Sequence, residues 1–455
     1  MSAPAPDPRD GLIVELRGEI AELKCQVAHL TAENERLREQ LAQAQRESAR
    51  QAAPFRRVDG KKIPKEDQKR PGRLVGHPGV NRPVPERIDE TIAVPLDACP
   101  HCGDPVADCV PVVQFIEEIP PVVPRVIELT THRGTCAKCG PVASTHPLKT
   151  GSGYAASRVH LGPRALALAA TLNKQHGLSM RKTCRVLRDL CGLKLSAGGL
   201  SQTLDRLADR LEPDYQSLFV DLRAGPATYT DETSWWVGGP GQWLWVFTSA
   251  TTTLYQVRDS RAAAVVTDVL TPNYPGVLVS DCLNIYDTVP LESKHKCIAH
   301  HQKAIREQLN SPGLSDRAYL ESWKEFFRGV TEVWKAWPRM TAEQQASVRA
   351  YFLGRRDELL SRDLTQGEDM RIRNRLEKRK PHLLTCLEKP DSVEPTNNRA
   401  ERALRPAVIA RKVSCGNKTT RGKTTWERLS SLLTTWCQRG QQVIATLTPR
   451  AGHVG

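Results

Sequence analysis

The sequence predicts a multidomain α/β protein: a mixed-sheet core interrupted by a helical insertion, with a coiled coil and a paired-cysteine ribbon ahead of it. Three observations predict this class. Apolar residues near the start recur every 3.5 residues on average, two Cys-x-x-Cys units stand well apart, and from residue 227 strand-like runs alternate with a turn and a helix. A chain of 455 residues is too long for one ordinary core and implies three or more folding units.

The first element spans 1–49. Ile13, Leu16, Ile20, Leu23, Val27, Leu30, Leu37 and Leu41 step alternately by three and four, with Asn34 in the one vacant place. Taking Ile13 as position a puts β-branched residues at the first three a sites, leucine at d and a single asparagine at a, the pattern of a parallel two-stranded coiled coil. Glu19 then faces Lys24 of the partner helix, and Glu33 faces Arg38. A homodimer is expected in preference to a lone amphipathic helix.

Residues 50–90 form a linker by composition, with recurrent Pro and Gly and a crowd of Arg and Lys from Arg56 to Arg73. It reads equally as a tether lying along phosphates or as a solvated one. Cys99 with Cys102, and Cys136 with Cys139, each offer two thiols at the spacing of a tetrahedral zinc knuckle. Strand-like runs at 112–119 and 125–131 would fold between them as a hairpin, giving a zinc ribbon over 91–148 with one structural Zn²⁺. His101 and His132 read as bystanders.

A helical region over 160–212 follows, with helices at 163–173, 179–190 and 197–211. The last two, joined through Gly192, have the order of a helix-turn-helix, in which the second helix would read DNA through Gln202 and Arg206; a plain packing unit fits as well.

The core is expected over 225–310 and 390–440, with a helical, partly basic insertion over 311–389 and a tail over 441–455. Strands at 228–230, 243–249 and 254–258, a helix at 262–270 and a strand at 277–280 follow in the order of a ribonuclease-H-like sheet. Two of these strands run into acids, Asp231 and Asp281, with Asp287 as a fallback for the second. Acids at one sheet edge can share divalent ions, and Glu401 is the best candidate for a third. Alternation along a strand turns Glu232 away from the face that Asp231 uses.

Tyr229-Thr230-Asp231-Glu232-Thr233, Asp281 with Tyr286 five residues on, and the run Asn397-Asn398-Arg399-Ala400-Glu401-Arg402-Ala403-Leu404-Arg405-Pro406 together resemble the transposases of the insertion sequence 66 family. The resemblance extends over the coiled coil, the basic stretch and the cysteine pairs. It departs at Ile298, where the family often has tryptophan, and at 413–417, where aromatic residues are usual. It implies an acid-triad DNA transposase with a ribonuclease-H-like core. Asp231, Asp281 and Glu401 would hold two Mg²⁺ or Mn²⁺ ions. Double-stranded DNA, both element ends and target, would be the substrate, and small accessory proteins from the same element would be partners. Arg402, Arg405, Arg411 and Lys412 lie beside the third acid and would hold phosphates.

Each acid also has a structural reading. Asn398 and Glu401 have capping-box spacing, Asp281 can cap a helix starting at Cys282, and Asp231 can be an ordinary strand acid. Cys297 and His300 read as a helix start in preference to a metal site. A catalytically inactive DNA-binding regulator derived from a transposase is the alternative function.

Composition agrees with a nucleic-acid partner. Lys and Arg number 65 against 51 acids, a formal net charge of +14, which favours a polyanion over an acidic small substrate. No apolar run approaches the roughly 20 residues of a membrane span, and the first residues lack the basic-then-apolar order of a signal peptide. A cytoplasmic, nucleoid-associated protein with reduced cysteines is expected.

Overall fold

The computed structural model describes residues 82–150, 159–310, 316–364 and 367–452, together with parts of 19–40 and residues 76 and 79. Ile13, Leu16 and Leu41 of the expected coiled coil, and most of the linker over 50–90, lie outside the described residues. The chain divides into two compact units, residues 1–118 and 119–455.

In the first unit the described backbone between 19 and 40 is helical. Ile20, Leu23, Val27, Leu30 and Leu37 all stay half or more exposed, so one helix leaves its own apolar stripe uncovered. Further on, an isolated bridge joins Ala98 to Pro105 around the first cysteine pair.

The second unit opens on a small hairpin, β1 (Arg133–Cys136) and β2 (Gly140–Ala143), paired antiparallel across the second knuckle. The runs at 112–119 and 125–131, expected as strands, form no ladder. Their valines and isoleucines stay exposed, Ile116 at 85% and Val126 at 93%. A period-2 apolar pattern forms a strand only where another strand meets its hydrogen bonds, and Pro120, Pro121 and Pro124 sit where a hairpin would have to turn and pair.

Helices α1 (Pro163–Ala170), α2 (Met180–Cys191), α3 (Ala197–Arg210) and α4 (Glu212–Ala224) come next, with a π-helical turn at Thr171–Gln175 following α1. Ser179 caps α2, and Gly192 ends it in the left-handed region at φ 66°, where a side chain would be strained.

The five-stranded sheet is built from β3 (Ala227–Trp235), β4 (Gln242–Thr248), β5 (Thr253–Arg258), β6 (Val277–Ser280) and β7 (Lys294–Lys296), in the order β5-β4-β3-β6-β7. The first three form an antiparallel meander; β6 joins β3 in parallel after helix α5 (Ala264–Leu270), and β7 joins β6 in parallel. β3 runs on to Trp235, so Asp231 lies within the strand and not at its end. Both faces of the sheet are covered, which explains the nearly unbroken apolar runs of β4 and β6.

One face carries Tyr229, Val246 and Val279 against α6 (Ile298–Leu309), α7 (Arg317–Ala336), α8 (Ala342–Ser361), α9 (Glu368–Glu377) and α11 (Asn398–Ser414), the short α10 (Thr385–Glu388) included. The other carries Trp245, Phe247 and Leu278 against α1 to α5, α12 (Thr420–Gln438) and α13 (Val443–Ala451). The segment expected as a tail is therefore mostly α13, which buries Val443, Leu447 and Ala451 beside α1.

α12 also closes the sheet edge. Thr435 Oγ1, Ser431 Oγ and a Glu427 carboxylate oxygen accept the outward N–H groups of Thr253 (3.0 Å), Tyr255 (2.8 Å) and Val257. Four residues of helix rise about 6 Å and two residues of strand about 6.8 Å, so a polar side chain every helical turn meets every second strand amide.

Candidate active site

Strand pairing sets the first two acids. β3 and β6 run parallel with Ala227 opposite Val277, Thr228 opposite Leu278 and Tyr229 opposite Val279. The pairing ends two residues short of Asp231 and Asp281, and Asp281 follows β6 directly, close enough for its charge to act on Asp231. Asp231 shares its face with Tyr229, and α11 packs on that face.

The third acid arrives from α11. The fully buried Asn397, just before the helix, donates from Nδ2 to the Thr230 carbonyl at 2.9 Å and from its backbone N–H to Cys297 Sγ at 3.2 Å. The helix start is thereby pinned one residue from Asp231, and Glu401 follows in its first turn. No side chain caps α11, so the capping-box reading of Glu401 is not realised. Its side chain is exposed and free for other work.

Both aspartates keep one oxygen occupied locally. Asp231 Oδ1 accepts from Glu232 N–H and Asp281 Oδ1 from Leu283 N–H, each at 2.9 Å. Burial, reinforced by the neighbouring charge of Glu232 and then of Asp281 and Glu401, pushes the Asp231 carboxyl up to about 7, against the one hydrogen bond that favours its ionised form. The three acids therefore act on one another. Among the described residues no three His, Cys, Asp or Glu side chains close into a finished metal cage. The donor set is nevertheless all carboxylate oxygen, the kind that hard divalent ions take, and a cation there would relieve the repulsion that raises Asp231.

Glu232 points the other way, as alternation requires. Its buried carboxylate takes Arg261 Nε and Nη2 at 2.9 and 2.7 Å on one oxygen and the Tyr286 hydroxyl on the other. Arg261 in turn lies 4.4 Å over the Trp243 ring. The sequence turned Glu232 to this face and marked Tyr286, but not the lock they form with Arg261; nothing in the sequence around Arg261 marks it.

Asp287, the fallback acid, is taken. Lys296 (3.0 Å), Lys378 (3.2 Å) and Arg379 (2.7 Å) surround it. Burial opposes its charge, yet Lys296, Arg379 and Lys378 hold the carboxyl below the usual range. Arg379 also donates to the Cys282 carbonyl and to Asn284 Oδ1, each at 3.1 Å, so the insertion grips the loop that begins at Asp281.

Of the four cations expected beside the third acid, Arg402, Arg405 and Lys412 are exposed on α11. Arg411 instead turns inward, donating from Nη1 to Thr233 Oγ1 at 2.9 Å and to Ser234. It ties α11 to β3. Cys297 is the N-cap residue of α6 and is buried, its thiol pushed up to about 11 by that burial, and its sulfur accepts the Asn397 N–H. The first thiol of each knuckle behaves oppositely. Backbone N–H groups of His101 and Cys102 lower Cys99, and those of Cys139 and Lys138 lower Cys136, both toward thiolate.

No helix among the described residues is long and apolar enough to cross a membrane. Comparison with curated proteins finds no match. The model of the transposase IS66 family matches residues 158–425, a stretch that contains β3, β6 and α11 and with them all three acids. The chain therefore belongs to the transposase IS66 family, a membership that implies an enzyme binding and cleaving nucleic acid.

Proposed function

We propose that the chain is the DNA transposase of a bacterial insertion sequence, acting through Asp231, Asp281 and Glu401 on a ribonuclease-H-like core. The observation that supports this reading is the parallel pairing of β3 with β6, which run toward Asp231 and Asp281, together with Asn397, which ties the start of α11 to Thr230 beside Asp231. Asp231, Asp281 and Glu401 would together hold two divalent ions. Bound Mg²⁺ or Mn²⁺ would supply an activated oxygen nucleophile and neutralise charge at the reacting phosphate.

The chain's own residues do the positioning. Asp231 must lose its proton before it can ligate, and the Glu232, Arg261 and Tyr286 lock keeps β3 from shifting as it does so. Arg402, Arg405 and Lys412 present cations to phosphates near Glu401. The reaction is hydrolysis at an element end, a water oxygen bonding to phosphorus as the 3′ oxygen leaves. The freed 3′-hydroxyl then attacks a target phosphodiester, displacing its 3′ oxygen in a single transesterification.

Outside the core, the uncovered stripe from Ile20 to Leu37 supports a parallel homodimer, and the lowered thiols of Cys99 and Cys136 support zinc ligation at each knuckle. Accessory proteins of the same element and a nucleoid location complete the reading. Strand transfer with Mg²⁺ or Mn²⁺ tests it. Product from the native protein and none from Asp231→Ala is expected; equal product from both overturns the assignment. DNA binding with no product from either leaves the inactive regulator.

A further inference from the structure

Resting on the reading above, we propose that the DNA-docking element of the 160–212 region is α2, the first helix of the pair, which lays an arginine stripe along the sugar-phosphate backbone of double-stranded DNA. The helix-turn-helix order would assign that role to α3. The packing denies it. Asp205 of α3 accepts from Thr425 (2.6 Å) and pairs with Arg421 (3.4 Å), while Asp209 pairs with Arg421 (2.8 Å) and Arg428 (3.2 Å), all from α12. Leu200, Leu204, Leu207 and Ala208 are buried, and Arg206 has its Nε sealed from solvent. α2 and α12 pack against α3, and of its exposed residues, Gly198, Gly199, Gln202 and Asp209, only Gln202 has a side chain suited to reading a base without repelling phosphate.

α2 is different. It buries Thr183 and Leu187 and turns Arg181, Lys182, Arg185 and Arg188 outward. Steps of four and three set Arg181, Arg185 and Arg188 on one face, a stripe about 10 Å long at 1.5 Å per residue. Across an open groove from it stand Lys194 and Leu195 of the turn and Ala197 at the start of α3. Among the described residues the stripe's one acidic partner is Asp189, 2.7 Å from Arg188 in an exposed pair, which holds little energy against a phosphate. Arg181, Lys182, Arg185 and Lys194 have no acidic partner among the described residues. Three unpaired cations, Arg181, Arg185 and Lys194, and the weakly paired Arg188 line the groove, with Lys182 exposed beside them on α2, an arrangement that suits a continuous polyanion.

The test is duplex binding by the full-length protein without divalent ions, followed by fluorescence anisotropy over a salt series. Each phosphate contact contributes about 0.9 to the slope of log K against log salt. Arg181→Ala, Arg185→Ala and Lys194→Ala combined should therefore flatten the slope by roughly 2.7, with circular dichroism unchanged. Binding is read without divalent ions and without product formation, so the outcome does not depend on whether Asp231, Asp281 and Glu401 catalyse, which separates this proposal from the catalytic one. Native slope and affinity in the triple variant would overturn it, as would loss of sequence selectivity in Gln202→Ala with the triple variant behaving as native, since that returns the reading role to α3.

Discussion

Asp231 is the residue where burial, charge and chemistry meet, and its titration should be visible in stability. Unfolded, its carboxyl ionises near 4; folded, it ionises at about 7, because burial and then the charges of Glu232, Asp281 and Glu401 disfavour the anion. Between those values the folded state holds the proton that the unfolded state has released, so stability falls as pH rises through the window and the penalty is complete above 7. At about 1.4 kcal/mol per pH unit, it reaches roughly 4 kcal/mol. Asp231→Asn removes the charge, so without metal the variant should match the native protein near pH 4 and melt at a higher temperature at pH 8. Thermal melts from pH 4 to 8 in chelator check this; parallel curves for the two proteins would mean that the carboxyl is not held up. Divalent ions should reverse the order at pH 8, raising the melting temperature of the native protein only. Gly416 makes a different point at the same scale. Its φ is 106°, and a Cβ there would sit 2.5 Å from the Trp236 carbonyl oxygen. The step from α11 to α12 is thus held against the β3 hairpin, where Asn417 Oδ1 also accepts from Trp235 Nε1 at 2.8 Å.

At the scale of elements, α12 replaces the missing neighbour of β5. An edge strand invites pairing with other chains unless its amides are met, and here Glu427, Ser431 and Thr435 meet three of them. Ser431→Ala should strand the buried Tyr255 N–H and cost about 1–3 kcal/mol, measured by urea denaturation; Ser431→Thr, which keeps the hydroxyl, should recover part of it. An unchanged midpoint in Ser431→Ala would show that water or a neighbour satisfies the amide. This edge was not legible in the sequence, since Ser and Thr on a helix read as ordinary polar residues until the strand beside them is known. Four of the five core strands were legible, because runs such as β4 and β6 concentrate β-branched and aromatic residues between Gly and Pro turns; β7, Lys294–Lys296, carries no apolar pattern and was not. The placement of Asp231 and Asp281 on neighbouring strands was legible too, though Asp231 lies within β3 and not at its end. Failure came where local pattern stood alone. The runs at 112–119 and 125–131 alternate as strands do and pair with nothing, and Arg411 looked like a phosphate ligand because its inward hydrogen bonds to Thr233 and Ser234 span the length of the core.

Across the second unit, the insertion and the sheet are joined by charge as well as by apolar packing. Lys296 on β7 is fully buried and makes its ion pair with Asp287, 3.0 Å away, and a hydrogen bond to Ser280 Oγ at 3.2 Å. Arg379, just past α9, reaches the same carboxylate and the carbonyl of Cys282. One carboxylate thus holds a strand, a loop and the insertion together, and that loop starts at Asp281. Removing it leaves Lys296 and Arg379 buried and unpaired, and an uncompensated buried charge costs about 3–5 kcal/mol. Asp287→Asn should therefore destabilise the protein by that amount, whereas Lys378→Met should cost little, because Lys378 is more than half exposed. A further consequence separates this linkage from plain stability. With Asp287 gone, β7 and the insertion no longer restrain the 282–287 loop, so cleavage by Asp287→Asn at a temperature where it is folded should fall while duplex affinity holds. Arg379→Lys, which keeps a cation but loses the fork that spans carboxylate and carbonyl, should fall part of the way. Equal cleavage by Asp287→Asn and the native protein would mean that Asp281 is placed by the β3 to β6 register alone.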